Sequence, residues 1–170
     1  METEKTFVIR RGFLLPLGFL LLETLALLVV CLAQHQPIAK ALILLFLILP
    51  IAGLFVESLF RELVVTRDGL TAKRLFRQKT IRFSEVTELE TVLVRNRAYM
   101  TLCAGDEFLI FSNSYAEFPQ LVSELMTRIP VGTASEATTR MAEAPPSKKS
   151  DIVSCWIGVV LLAYILYLQF

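Results

Sequence analysis

The sequence has little charge and no overall electrostatic bias. Charged residues make up 19% of its 170 residues and the formal net charge is +1, whereas about 25% of the residues of an average soluble protein are charged. A nearly neutral chain has no global field that would draw it to nucleic acid or to acidic substrates. We therefore expect no nucleic-acid partner, and any electrostatic site must be local.

Histidine, cysteine and glycine are also sparse, and they form none of the groupings that catalysis or metal binding requires. The one histidine, His35, lies between two apolar runs, away from the residues with which it could form a triad or a metal site. The three cysteines include no CxxC pair, and the seven glycines form no phosphate-binding loop. The sequence thus predicts a protein that is not an enzyme and that holds no metal or cofactor.

Long apolar runs are what the sequence has in excess. Three runs of 21, 20 and 19 residues contain only two charged side chains, Glu23 and Glu57; the runs are residues 13–33, 41–60 and 152–170. A helix of about 20 apolar residues crosses the hydrocarbon core of a bilayer. We therefore predict three transmembrane helices, of which the first two form a helical hairpin and the third is carboxy-terminal.

Cationic residues are concentrated outside the turn of the predicted helical hairpin. Only Lys40 lies in that turn. Seven cations precede the first run or follow the second: Lys5, Arg10, Arg11, Arg61, Arg67, Lys73 and Arg74. By the positive-inside rule, this distribution predicts that the amino-terminal segment, residues 1–12, and the polar region after the second span are cytoplasmic.

One ionisable residue, Glu23, lies at the midpoint of the first span. A charge there costs at least about 2.5–3.5 kcal/mol on insertion scales, and the three spans contain no lysine or arginine to pair with it. Two interpretations stay open: a contact with a partner membrane protein or an ion path, or a protonated carboxyl hydrogen-bonded to Thr24 or Ser154. Glu23 is therefore a candidate intramembrane polar contact.

The polar region, residues 61–130, has a strand-like pattern followed by a helical one. Six short apolar stretches separated by tight turns predict an antiparallel sheet that curls into a small barrel or sandwich. The strongest turn signal is the pair Asp68 and Gly69, and another turn is predicted at residues 77–78. A capping box at residues 114–117, followed by an apolar stripe, predicts a helix that completes the core, and Pro119 indicates a start two or three residues later than the box.

Residues 131–150 are rich in alanine, threonine, serine, glutamate and proline and have no periodicity. This composition is typical of a flexible tether. A coil of this length has a root-mean-square reach of about 25 Å, which is enough to return the chain to the bilayer. We therefore predict a flexible linker between the polar region and the third span.

The order of these features resembles that of a known family. The resemblance is carried by two runs, LVVTRDGL at residues 63–70 and IRFSEV at residues 81–86. They are similar to the bacterial pleckstrin-homology-like (PH-like) domains of small membrane proteins, in which a strand ends in a Thr-x-x-Gly turn and one helix closes the domain. For residues 61–130 the resemblance implies a PH-like antiparallel barrel or sandwich capped by a carboxy-terminal helix. For the whole chain it implies an α+β protein of the bacterial inner membrane with a binding or scaffolding role.

The most basic segment carries five cations in ten residues, with no acid among them. They are Lys73, Arg74, Arg77, Lys79 and Arg82. In eukaryotic PH domains, the loop between the first two strands gathers basic residues that bind phosphoinositide phosphates; here the cations surround the next hairpin. They would either face anionic headgroups, each adding about 1 kcal/mol, or form a solvated edge that resists pairing with other chains.

Two functional hypotheses follow, and neither involves catalysis. In the first, the protein is an adapter, scaffold or assembly subunit that binds a partner membrane protein or complex, or further copies of itself, with Glu23 and an exposed sheet edge as contacts. In the second, it senses an anionic lipid surface through the cations of residues 73–82. In both, the lipid bilayer is its environment.

Overall fold

The computed structural model describes residues 4–95, 97–143 and 150–169, which form two compact units. A polar domain lies within residues 1–10 and 60–148, and a helical bundle lies within residues 11–59 and 149–170. The helices and strands in chain order are β1 (Lys5–Val8), α1 (Arg11–Ala33), α2 (Ile38–Leu59), β2 (Glu62–Val65), β3 (Gly69–Arg74), β4 (Arg77–Arg82), β5 (Glu88–Val94), β6 (Arg97–Ala104), β7 (Glu107–Ser112), α3 (Phe118–Arg128), α4 (Glu136–Glu143) and α5 (Ser150–Tyr167).

The helical bundle contains the three predicted spans. Helices α1, α2 and α5 are long and apolar enough to cross a membrane. Helix α1 packs against both of the others. Gly18 lets α2 approach closely, since a Cβ there would lie 3.3 Å from the ring of Phe55. On its other side, Phe19 packs on Trp156 of α5, with ring centroids 5.9 Å apart.

The polar domain contains two antiparallel sheets. Strands β1 to β4 form one sheet in sequence order, and β5 to β7 form the other. The completely buried apolar side chains come from both sheets, from α3 and from α4. The largest of them are Phe118, Leu63, Leu70, Ile81, Leu89, Met100, Leu102, Leu121, Leu125 and Met141. The predicted α+β architecture, with antiparallel strands followed by one amphipathic helix, is therefore present.

Strand β1 was not predicted, because the sequence indicated only a cytoplasmic amino-terminal segment. The structure pairs Phe7 with Leu63 of β2 and buries both side chains. The chain then contacts the segment after β7: Ala116 N donates to Val8 O at 2.7 Å, and Arg10 N donates to Ser114 O at 3.2 Å. Residues 5–10 thus belong to the polar domain, although the helical hairpin separates them from β2 in sequence.

The predicted turn at Asp68 and Gly69 is confirmed as the β2–β3 connection. Thr66 closes it, because its hydroxyl accepts from Gly69 N at 3.1 Å and donates to Gly69 O at 3.0 Å. A Cβ on Gly69 would overlap the main-chain oxygen of Ile81 on the neighbouring strand. Only glycine fits this position without displacing β4.

The turn predicted at residues 77–78 is wrong by two residues. The β3–β4 turn consists of Leu75 and Phe76, with Arg74 paired to Arg77. This register pairs Leu70 with Ile81, and both are fully buried. A turn at 77–78 would move Ile81 away from Leu70, so burial of this pair determines the register.

Helix α3 begins later than the capping box at residues 114–117 predicts. The residue before the helix is Glu117, in the left-handed region at φ 53°, with no side-chain cap. The Ser114 hydroxyl instead bonds to that of Ser112 at 3.1 Å. Pro119 lies in the first turn, where its missing N–H has no helical partner to lose. The capping box is therefore not formed, but the later start indicated by Pro119 is confirmed, and the apolar stripe is buried through Phe118, Leu121, Val122 and Leu125.

The prediction that residues 131–150 form a flexible linker is wrong for residues 133–143; residues 144–149 lie outside the described part of the chain. Leu89 N donates to Thr133 O at 2.8 Å, and Ser135 N donates to Leu89 O at 3.0 Å, which docks the segment on β5. Helix α4 follows with Thr138 and Met141 buried. The Thr138 hydroxyl lies 2.8 Å from that of Thr91 and donates to Leu89 O at 3.0 Å.

An ion-pair network ties β1 to α3 and to the β2–β3 turn. Lys5 donates a hydrogen bond to Glu124, and Arg128 contacts the other Glu124 oxygen at 2.8 Å while donating to Thr66 O at 2.5 Å. The Lys5 hydrogen bond lowers the pKa of the Glu124 carboxyl; burial opposes this effect, and the charges of Lys5 and Arg128 add to it. The stabilisation is therefore present above the unfolded carboxyl pKa and is lost as the pH falls through the lower folded value.

We predict that Glu124→Gln speeds hydrogen exchange of the β1 amides in the reconstituted full chain at neutral pH, because Lys5 loses its charged partner. The difference from the wild type should shrink as the pH falls through the lowered folded pKa of the wild-type Glu124 carboxyl, because the wild-type side chain then also becomes neutral. Glu136→Gln is the matched control, because its ion pair with Arg140 lies within α4 and is exposed. Equal β1 exchange in Glu124→Gln and the wild type at neutral pH would contradict the assignment.

We also predict that Thr138→Val loosens α4. The change keeps the side-chain shape but removes the hydroxyl that bonds to Thr91 and Leu89 O, which destabilises the docked segment by about 1–3 kcal/mol. Limited proteolysis of the full chain should then cut within residues 133–143 at least several-fold faster. The neighbouring exposed change, Thr139→Val, should have little effect. Equal cutting rates for the two variants would show that the Thr138 hydroxyl does not hold the segment.

Candidate functional site

The basic hairpin, defined as β3, β4 and their turn, carries all five predicted cations. They do not share one face. Strand pairing places Arg74, Arg77 and Lys79 on the same side as Leu70 and Ile81, whereas Lys73 and Arg82 lie on the opposite side. On the side that carries Leu70 and Ile81, these two are the last core residues before the turn. The three cations of that side therefore lie between the core and the tip of the hairpin.

Two of the five cations have acidic partners. Lys79 lies 3.8 Å from Glu107 and also sits over the ring of Phe108, 5.3 Å from its centroid. Arg82 lies 3.6 Å from Glu85. Both pairs are exposed, so each contributes little to stability. Their charges are nevertheless partly neutralised within the domain.

The other three cations, Lys73, Arg74 and Arg77, are exposed and make no ion pair with the described residues. Arg74 and Arg77 are directly opposite each other across the two strands. Like charges at such positions repel. An anion placed between or beside them would remove that repulsion, which makes the tip of the basic hairpin a local anion-attracting site.

The sequence-based site omitted the two residues that form the turn. Phe76 is 90% exposed and Leu75 is 37% exposed, between Arg74 and Arg77. They were assigned to a strand because the turn was predicted two residues later. The order Arg-Leu-Phe-Arg, a pair of apolar residues enclosed by cations, is the signal that could have identified them.

The register shows which end of the sheet the tip occupies. Lys73 pairs with Glu62, the first residue of β2, and Glu62 pairs with Val8, the last residue of β1. The tip therefore lies at the end of the sheet where β1 leads into α1 and where α2 leads into β2. It extends beyond Glu62 by Arg74 and the turn, roughly 7 Å at the rise of a strand.

The outer face of the second sheet is partly apolar. Val92 of β5 and Phe108 and Ile110 of β7 are exposed, and the strand pairing sets Ile110 beside Thr101 and Val92 beside Tyr99. Exposed single apolar side chains are common on proteins. Several on one sheet face form a second candidate contact surface.

Glu23, the candidate intramembrane contact, lies in α1 within the helical bundle. Its Oε2 atom is buried and has no hydrogen-bond partner in the described part of the chain. The Thr24 hydroxyl, one of the two partners considered above, donates instead to the main-chain oxygens of Leu20 and Leu21. The structure does not bring Glu23 together with the basic hairpin residues, which belong to the other unit.

The described residues contain no group of three or more His, Cys, Asp or Glu side chains arranged to hold a metal ion. The cysteines at positions 31, 103 and 155 are free thiols. Comparison of the chain with protein-family models, with curated proteins and with solved structures finds no match. The residues themselves must therefore support any functional argument.

We predict that Glu23→Leu raises the thermal midpoint of the full chain in detergent micelles. A buried polar atom without a partner costs about 1–3 kcal/mol, and leucine removes it. Glu23→Gln keeps a polar group there and should not give this increase. A lower midpoint for Glu23→Leu would show that the carboxyl makes a stabilising contact, for example with a second copy of the chain.

Proposed function

We propose that this protein is a non-catalytic, membrane-anchored binding protein of the bacterial inner membrane, with a cytoplasmic PH-like domain whose basic hairpin binds an anionic lipid surface. The three apolar helices support membrane anchoring. The excess of cations flanking the helical hairpin supports the cytoplasmic orientation. The domain acts by binding the anionic lipid surface and catalyses no reaction.

The strand and helix arrangement supports the PH-like part of the proposal. Sheets of four and three antiparallel strands are followed by one amphipathic helix, α3, which buries its apolar stripe. Strand β1 gives seven strands in the described residues, the number usual in PH-like folds. In this chain the helical hairpin of α1 and α2 replaces the loop between the first two strands.

The observation that carries the lipid-binding role is the set of three cations at the tip of the basic hairpin that have no acidic partner among the described residues. Lys73, Arg74 and Arg77 lie at the sheet end that leads into α1 and α2. Cations close to an anionic leaflet contribute about 1 kcal/mol each. Because this sheet end continues directly into α1 and α2, we expect these cations to face the membrane surface and not free solvent.

A second candidate function, an adapter or assembly subunit for a partner membrane protein, is favoured by a different observation. Val92, Phe108 and Ile110 expose apolar surface on the outer face of the second sheet. The two functions are compatible, because the basic hairpin and this face are different surfaces. Loss of lipid binding would remove the effect of anionic lipid on the basic hairpin. Loss of the adapter function would instead remove the co-purification of a partner protein.

The test is hydrogen exchange of the full chain in nanodiscs of neutral lipid and of neutral lipid mixed with phosphatidylglycerol. We predict that the anionic lipid slows exchange at the tip of the basic hairpin. The triple variant Lys73→Glu, Arg74→Glu and Arg77→Glu should abolish this effect, because about 3 kcal/mol of attraction becomes repulsion. High salt should weaken the effect in the wild type.

Arg67→Glu is the matched control, since Arg67 is an exposed cation at the opposite end of β3, in the β2–β3 turn. It should leave the lipid effect unchanged. Identical hairpin exchange in the two kinds of nanodisc would contradict the lipid-binding role. A lipid effect that Arg67→Glu removes as completely as the triple variant would show a general charge effect and no hairpin site.

A further inference from the structure

We infer that Leu75 and Phe76 form a membrane-inserting wedge: the two side chains enter the interfacial layer of an anionic leaflet while Arg74 and Arg77 remain at the level of the phosphates. This inference rests on the lipid-binding role proposed above and adds a second, apolar component to it. The occupant of the tip is thus a bilayer surface. The wedge is defined as residues 74–77.

The two residues of the wedge turn are exposed at the extreme end of the hairpin. Phe76 is 90% exposed in a two-residue turn, so the domain gives its ring almost no packing. The turn needs no aromatic residue, because glycine, asparagine and aspartate are the residues that tight hairpins favour. Transfer of the Phe76 side chain from water to an apolar environment has a favourable free energy, and the described residues of the domain leave the side chain almost fully exposed.

Apolar and cationic side chains follow a defined order along the tip. Two apolar side chains project furthest, and a pair of arginines lies one residue behind them, opposite each other. An interface of headgroups over acyl chains has the same order: anionic phosphates outside and hydrocarbon below. Arginine can extend its apolar stem along the hydrocarbon boundary and leave its guanidinium at the phosphates.

The wedge lies at the sheet end from which the chain continues into α1 and α2. Two residues, 9–10, separate β1 from α1, and two residues, 60–61, separate α2 from β2. Both connections leave the sheet at the end formed by Val8 and Glu62, and the wedge projects beyond Glu62 at that same end. These short connections favour a bilayer surface, and not a soluble protein, as the occupant of the tip.

The test uses tryptophan fluorescence of the full chain in lipid vesicles. The chain has one tryptophan, Trp156, so Phe76→Trp is made in a Trp156→Phe background. We expect blue-shifted emission and strong quenching by lipids brominated near the headgroup end of the acyl chain, in vesicles that contain phosphatidylglycerol. Arg67→Trp in the same background is the control and should emit as in water, without quenching.

A binding measurement complements the spectroscopy. In the nanodisc exchange experiment, Phe76→Ser should reduce the docking equilibrium of the hairpin roughly tenfold or more, which is the loss expected when a large apolar side chain is no longer buried. Phe76→Leu should retain much of the docking. The side chain is exposed, so neither change is expected to affect folding of the domain.

The outcomes separate this inference from the proposed function. Water-like emission from the Phe76→Trp variant in anionic vesicles, with the lipid effect on exchange still abolished by the triple charge variant, would overturn the wedge and leave electrostatic lipid binding intact. Quenching of the introduced indole in neutral and anionic vesicles alike would support insertion and overturn the role of anionic lipid. An introduced indole that is unquenched in vesicles but protected in native membranes would overturn the wedge in favour of a protein partner.

Discussion

The pairing of β1 with β2 is the constraint on which the rest of the structure depends. The two strands are adjacent in the sheet, yet residues 9–61, including both helices of the helical hairpin, lie between them in sequence. The sheet is therefore complete only when a segment from before the first span reaches a segment from after the second. Phe7 and Ile9 enter the core, and Lys5 joins Glu124 of α3.

This constraint places the chain connections to α1 and α2 at one end of the sheet. Because β1 and β2 are antiparallel, the last residue of one and the first of the other meet at the same end, and two short connections lead from there to α1 and α2. The β3–β4 turn lies at that end as well. The proposed lipid-binding role rests on the exposed cations and exposed apolar residues at this end of the sheet. The same constraint implies that a fragment beginning at Arg61 would lack one strand.

Local patterns predicted the features that depend on local physics. The length and hydropathy of the apolar runs predicted the three candidate spans. The pair Asp68 and Gly69 predicted one turn, and the apolar stripe predicted α3. The missed features depend on distant partners. Strand β1 has four residues with one buried side chain, so its sequence carries no periodic signal. Helix α4 is docked by Thr138 on β5, and the turn at Leu75 and Phe76 is determined by burial of Leu70 against Ile81.

The most direct test compares the depth of Arg77, which follows the β3–β4 turn, with that of Arg67, in the β2–β3 turn, relative to the lipid phosphates. Arg77→Cys and Arg67→Cys, each made in a chain whose native cysteines are replaced by alanine, would carry a fluorophore in bilayers that contain a headgroup-attached paramagnetic quencher. The account predicts strong quenching at position 77 and weak quenching at position 67. Equal quenching, or stronger quenching at position 67, would contradict the claim that the tip of the basic hairpin faces the membrane.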